Sequence, residues 1–93
     1  MTFCISAGIE VVDPNRKEDA VKAMAKLVEQ TATEPGCILF EVRQDLENAN
    51  HFTLWEIWEK EEDLTKHFQY PHTKAYLAEN WTQVRYVEKL QGL

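Results

Sequence analysis

Apolar and polar residues alternate from the start of the chain. Phe3, Ile5, Ala7, Ile9 and Val11 fall on one face, and Cys4, Ser6, Gly8, Glu10 and Val12 on the other. That period of two predicts a strand over 3–12. Asp13-Pro14-Asn15 ends it, and Asn15 with Glu18 three residues on predicts a helix N-cap of the capping-box kind. Val21, Met24, Ala25, Val28, Thr31 and Ala32 then recur at the spacing of an amphipathic helix, which Pro35-Gly36 stops. A second strand is predicted over 37–46, with Ile38, Phe40 and Val42 on one face and Leu39, Glu41 and Arg43 on the other. The polar segment Glu47-Asn48-Ala49-Asn50 predicts a tight connection to a third strand over 51–59, and so a hairpin. The acidic run Glu59, Glu61, Glu62 and Asp63 suits the first turn of a helix through the macrodipole, although no Ser, Thr or Asn caps it. Pro71 interrupts that helix, and a further short helix is predicted from His72 to about Trp81, with Leu77 and Trp81 on one side. Gln83 to Leu90 completes the pattern as a last strand.

The order β-α-β-β-α-β predicts an α+β, ferredoxin-like fold: a four-stranded antiparallel sheet with helices on one face. Right-handed crossovers put the first and third strands in the middle and the second at an edge. Cys4 and Cys37 then lie on non-adjacent strands, which argues against a disulfide. Helices cover only one sheet face, yet the third strand carries Phe52, Leu54 and Trp58 on one side and Trp55 and Ile57 on the other. An apolar surface left open in this way usually marks an interface, so a homodimer packed sheet to sheet is expected.

Composition narrows the classes. The 93 residues form one domain, 1–93, of ordinary globular composition. Ten basic against sixteen acidic residues give a net charge of −6, which disfavours nucleic acid and anionic membrane as partners. No apolar run approaches the ~20 residues of a membrane span. The segment Met-Thr-Phe-Cys-Ile-Ser lacks the charged and apolar regions of a signal peptide, so a cytoplasmic location is the default. The two cysteines form no CxxC and suit buried small hydrophobes. No Gly-rich phosphate loop, dinucleotide fingerprint or GxSxG is present, so no cofactor is expected. His67 and His72 are five apart across a proline, not at the i, i+4 spacing that puts two ligands on one helix face, so no metal is expected either.

Candidate chemistry gathers between Leu54 and His72. Glu56 and Trp58 share one face of the third strand, and Leu64, His67 and Phe68 share one face of the helix after it. A carboxylate, an indole and an imidazole therefore meet where strand and helix pack. Glu56 reads as a base with a raised pKa or as a hydrogen-bonded anchor. His67 reads as an acid/base group or as a satisfied core histidine. Trp58 reads as pocket wall or core filler, and His72 as a capping or a proton-transferring residue.

The Pro-Gly-Cys turn, the motif Trp-Glu-Ile-Trp, and then His67 and Pro71-His72 resemble the antibiotic biosynthesis monooxygenase superfamily over about residues 3–90. The resemblance implies a dimeric α+β barrel with a pocket between sheet and helices in each subunit. It implies a cofactor-independent monooxygenase oxidising a small electron-rich, quinol-like aromatic with O2. His67 would accept the phenolic proton, Glu56 would orient and charge it, and Trp58, Phe68 and His72 would bind substrate. An ionised Glu56 in that position would raise the pKa of His67. The superfamily also leaves open an isomerase of a small hydroxyketone or phosphorylated sugar signal and a non-catalytic ligand-binding dimer. Haem degradation fits less well, because such relatives tend to carry an Asn on the first strand where this chain has Ser6.

Overall fold

A computed structural model describes residues 1–93. Strand β1 spans Phe3–Val11, and a 3-10 turn at Pro14–Arg16 leads into helix α1, Lys17–Thr31. Strands β2, Cys37–Gln44, and β3, His51–Trp58, form the expected hairpin. Helices α2, Glu61–His67, and α3, Pro71–Ala78, precede strand β4, Thr82–Gln91. The sheet is antiparallel throughout, in the order β2-β3-β1-β4, with β1 and β3 central and β2 at an edge. No helix is long and apolar enough to cross a membrane.

Local chemistry accounts for the places where the elements depart from the sequence pattern. Asp13, not Asn15, caps the start of the helical segment: its Oδ1 accepts from the Asn15 N–H at 3.0 Å. The turn it stabilises pushes the start of α1 to Lys17. The buried stripe of α1 is Ala20, Met24, Leu27 and Thr31, rotated from the predicted one, so Val21 and Ala25 face outward. Helix α2 has no side-chain cap, as its sequence implies. Helix α3 stops at Ala78, and Asn80 takes a left-handed φ of 55°. Trp81 therefore lies beyond the helix, with the Arg16 guanidinium 4.2 Å above its ring.

The core lies between the sheet and α1. One part joins Ile9, Val11, Ala20, Met24 and Phe52, and the other joins Leu27, Phe40 and Trp58. The opposite sheet face has no helix over it. Strand register places Cys4, Leu39, Trp55, Ile57, Tyr86 and Leu90 there. Tyr86 packs against Gly8, where an added Cβ would sit 2.2 Å from its ring, so only glycine allows that approach. Cys4 and Cys37 are free thiols.

Candidate functional site

Helix α1 covers the β2–β3 side of the sheet, whereas the short helices α2 and α3 stand off from the β1–β4 side. The gap is a cavity of about 590 Å³. Its floor is the helix-facing side of the sheet, with Ile5, Ala7, Ile9, Leu54, Val84 and Val87, and its roof includes Leu64, Phe68, Tyr76 and Leu77. Lys89 is the single cation in the lining, and its Nζ is 3.3 Å from Glu61 of α2. A groove of similar size, about 630 Å³, lies between α1 and β2, but its ionisable residues Glu29, Glu41 and Arg43 are exposed or half-buried.

Glu56 is the buried ionisable group of the cavity. Strand alternation puts it in the sheet floor between apolar neighbours. Its Oε1 accepts a hydrogen bond of 2.9 Å from the Trp58 indole N–H. Burial raises its pKa from 4.5 to about 7, against the lowering effect of that hydrogen bond, and the charge of Glu34 adds to the rise. Glu56 is thus poised to take or give a proton near neutral pH. Tyr76 bonds to the Thr82 hydroxyl at 2.7 Å, and burial raises its pKa, so it remains a neutral phenol.

A second buried cluster forms where the loop after α1 meets the end of α2 and the start of α3. Glu34 precedes the Pro35-Gly36 turn, in which Gly36 adopts φ +85°. Its Oε2 lies 2.8 Å from His67 Nδ1 and 2.5 Å from His72 Nε2. Side-chain exposure is 2% for Glu34, 5% for His67 and 16% for His72. The Thr73 hydroxyl approaches His67 Nδ1 at 3.3 Å. Phe40, Trp58 and Phe68 surround the His67 ring at centroid distances of 5.6, 5.4 and 5.3 Å, and Tyr70 stacks on His72. Burial lowers the pKa of His67, and the hydrogen bond and charge of Glu34 oppose this only in part. Burial together with the neighbouring charges of Glu34 and Glu56 pushes the Cys37 thiol up to about 11, so it remains protonated and unreactive.

The structure brings Glu56, Trp58 and His67 together as the sequence suggested, but it pairs them differently. Trp58 is bonded to Glu56 and packs at a tilt against His67, and it is fully buried core instead of cavity wall. His67 takes Glu34, not Glu56, as its carboxylate partner, and its pKa falls instead of rising because desolvation outweighs one carboxylate. Phe68 lines the cavity, whereas His67 and His72 do not. Glu34 carries no signal in the sequence, because 33 residues separate it from His67 and nothing local marks a glutamate before a Pro-Gly turn as buried. The five-residue spacing of His67 and His72 proves no obstacle to their meeting, since they sit on two helices whose ends converge on Glu34.

Comparison with known proteins agrees with this architecture. YjcS of Bacillus subtilis is 32% identical over 85 residues, covering 91% of this chain and 81% of the relative. The solved YjcS structure superposes with a TM-score of 0.92 over the whole of both chains at 29% identity. The protein sll1783 of Synechocystis sp. is 29% identical over 82% of this chain, which spans about half (52%) of that relative's length. A solved antibiotic biosynthesis monooxygenase shares the fold at TM-score 0.84 and 21% identity, with coverage of 100% and 99%. The family model for antibiotic biosynthesis monooxygenase matches residues 2–79, and the chain belongs to that family.

Proposed function

We propose that the protein is a cofactor-independent monooxygenase of a small, electron-rich aromatic such as a hydroquinone, with Glu56 as the proton acceptor. The observation that carries the proposal is an apolar cavity of about 590 Å³ whose one buried ionisable group is a carboxyl with a pKa of about 7. Ile5, Ile9, Leu54 and Phe68 suit an aromatic ring. The one lysine of the lining is engaged by Glu61, which favours a neutral substrate over a phosphorylated sugar.

The chemistry asks little of the protein. Glu56 removes a phenolic proton, and the resulting phenolate is electron-rich enough to reduce O2. Carbon–oxygen bond formation gives a ring peroxide anion, and Glu56 returns the proton to its distal oxygen to give the hydroperoxide. The oxygenated ring carbon then loses its hydrogen as a proton, its C–H electron pair forms the new C=O bond, the O–O bond breaks, and the proton joins the departing hydroxide as water. A hydroquinone and O2 become a hydroxyquinone and water, with the substrate supplying every electron. The cavity contributes shelter from bulk water and a base matched to neutral pH. His67 backs the Trp58 indole that holds Glu56, a positioning role in place of the catalytic one its sequence position suggested. His72 lies further back, on the other side of Glu34.

The working unit in this proposal is a homodimer joined through the uncovered sheet face, where Trp55 and Ile57 are only half-buried and Tyr86 and Leu90 are exposed. Light scattering should give twice 10.9 kDa, and Trp55→Glu should yield monomer by putting an unpaired charge into a desolvated interface, at a cost of several kcal/mol. A monomeric wild-type protein would remove the dimer from the proposal. Activity itself is tested by oxygen uptake with a panel of hydroquinones. Consumption by the wild type that Glu56→Gln abolishes supports the assignment. Equal consumption by the two proteins rejects Glu56 as the base.

A further inference from the structure

The Glu34–His67–His72 cluster is not used by the proposed reaction, and its composition exceeds what a structural clamp requires. A single carboxylate would suffice to anchor one imidazole. Here two imidazole nitrogens from different helices converge on the same carboxylate oxygen. The three potential ligand atoms all lie within 4.8 Å of one another. We propose that Glu34, His67 and His72 form a binding site for a divalent first-row transition ion, with Zn²⁺ as the reference metal.

Two imidazoles and one carboxylate are a ligand set that such ions accept, and imidazole suits zinc, copper and nickel better than calcium or magnesium. With metal–ligand bonds of about 2.0–2.2 Å, ligand atoms around one ion sit about 3–3.6 Å apart. The present separations of 2.8 and 2.5 Å reach that range if Glu34 withdraws by less than an ångström, and the two histidine nitrogens, which lie within 4.8 Å of one another, must close to it as well. Binding also requires both facing nitrogens to be free of protons, so the protons they share with Glu34 must shift to the far ring nitrogens or leave as the ion enters.

The surroundings favour a preformed site. Phe40, Trp58 and Phe68 fix the His67 ring, and Tyr70 stacks on His72 with planes 19° apart. The Thr73 hydroxyl also reaches His67 Nδ1, at 3.3 Å, and would turn away as an ion takes that nitrogen. His72 also borders a cleft of about 200 Å³ with Leu27, Gln30 and Tyr76 between α1 and α3, which gives an ion and its water a route in. None of the three ligands lines the Glu56 cavity, so the ion would tie the loop, α2 and α3 together and stay apart from the substrate. Binding only the folded chain, it would stabilise the fold by mass action.

The test uses the wild-type protein stripped with a chelator. Zn²⁺ or Co²⁺ is added while the imidazole nitrogens are followed by long-range ¹H–¹⁵N NMR and stoichiometry by calorimetry. The expected result is one ion per chain, with His67 and His72 resonances moving together and His51 unmoved. The melting temperature should rise with zinc and fall back with chelator. His72→Ala, at the most accessible ligand, should weaken binding by at least about tenfold, since the loss of even an outer-shell partner costs that much. The proposal is overturned if no ion is taken up at about 100 µM free zinc, a concentration at which a site of micromolar affinity is nearly full. It is equally overturned if uptake perturbs only His51, which pairs with Glu10 at the surface. The histidine spectra of the wild type decide the matter even if His72→Ala does not fold.

Discussion

Glu34 and Glu56 are both buried, and they differ in company. Glu34 lies between two imidazoles at hydrogen-bond distance, one of them packed among Phe40, Trp58 and Phe68. Glu56 has one neutral donor, the Trp58 indole, and otherwise faces an apolar cavity. A carboxylate beside converging donors keeps favourable partners for its charge. One desolvated with a single neutral donor holds its proton up to about pH 7. The contrast teaches where to look for chemistry on this fold. The richly bonded cluster joins the loop after α1 to α2 and α3, and the poorly bonded carboxyl is the one whose pKa lies near neutrality.

The largest effect expected from breaking this contrast is on turnover. Glu56→Gln keeps the acceptor for the Trp58 N–H but cannot take a proton. Oxygen uptake with a reactive hydroquinone should fall by roughly 10²–10⁴, the usual worth of a positioned base, with the circular dichroism spectrum unchanged. His67→Ala should do the reverse. It empties a core position and strips Glu34 of one partner, so urea denaturation in metal-free buffer should show a loss of about 3–5 kcal/mol, the range for breaking a buried pair. Whatever protein remains folded should retain the wild-type pH dependence of activity. A His67→Ala protein of full stability and no activity would reverse the two roles.

A smaller effect of Glu56 appears in the pH dependence of stability. The folded-state pKa of Glu56 lies above its unfolded value of 4.5, so the stability this group contributes is complete below pH 4.5 and is lost as pH rises through about 7. Shifting a carboxyl from 4.5 to about 7 amounts to about 3 kcal/mol at full ionisation. Glu56→Gln should therefore match the wild type in melting temperature near pH 4 and exceed it at pH 8–9. A melting difference independent of pH would mean that Glu56 is not desolvated.

Much of the fold was legible in the sequence because its signals are periodic. Alternation in β1 and β3 fixed which residues share a face, and β1 and β3 lie in the middle as the crossover rule requires. The errors fell at element ends, where single hydrogen bonds decide. Asp13 displaced Asn15 as the cap, and the left-handed Asn80 released Trp81 from α3. Within the site, Glu56, Trp58 and His67 were findable because they fall on facing surfaces of consecutive elements. Glu34 was not, since its burial arises from three segments meeting in space, and no local pattern encodes that. The same gap produced the wrong sign for His67. Sequence proximity points to Glu56 as its partner, whereas burial, which no local pattern reveals, lowers the imidazole pKa.

The central claim is that Glu56 is a cavity carboxyl titrating near neutrality. It is tested most directly by following the Glu56 side-chain carboxyl ¹³C resonance across the pH range, with Glu56→Gln identifying the signal. The structure predicts a midpoint of about 7. A midpoint at the ordinary value of 4.5 would contradict it and leave the cavity without a base for the proposed reaction.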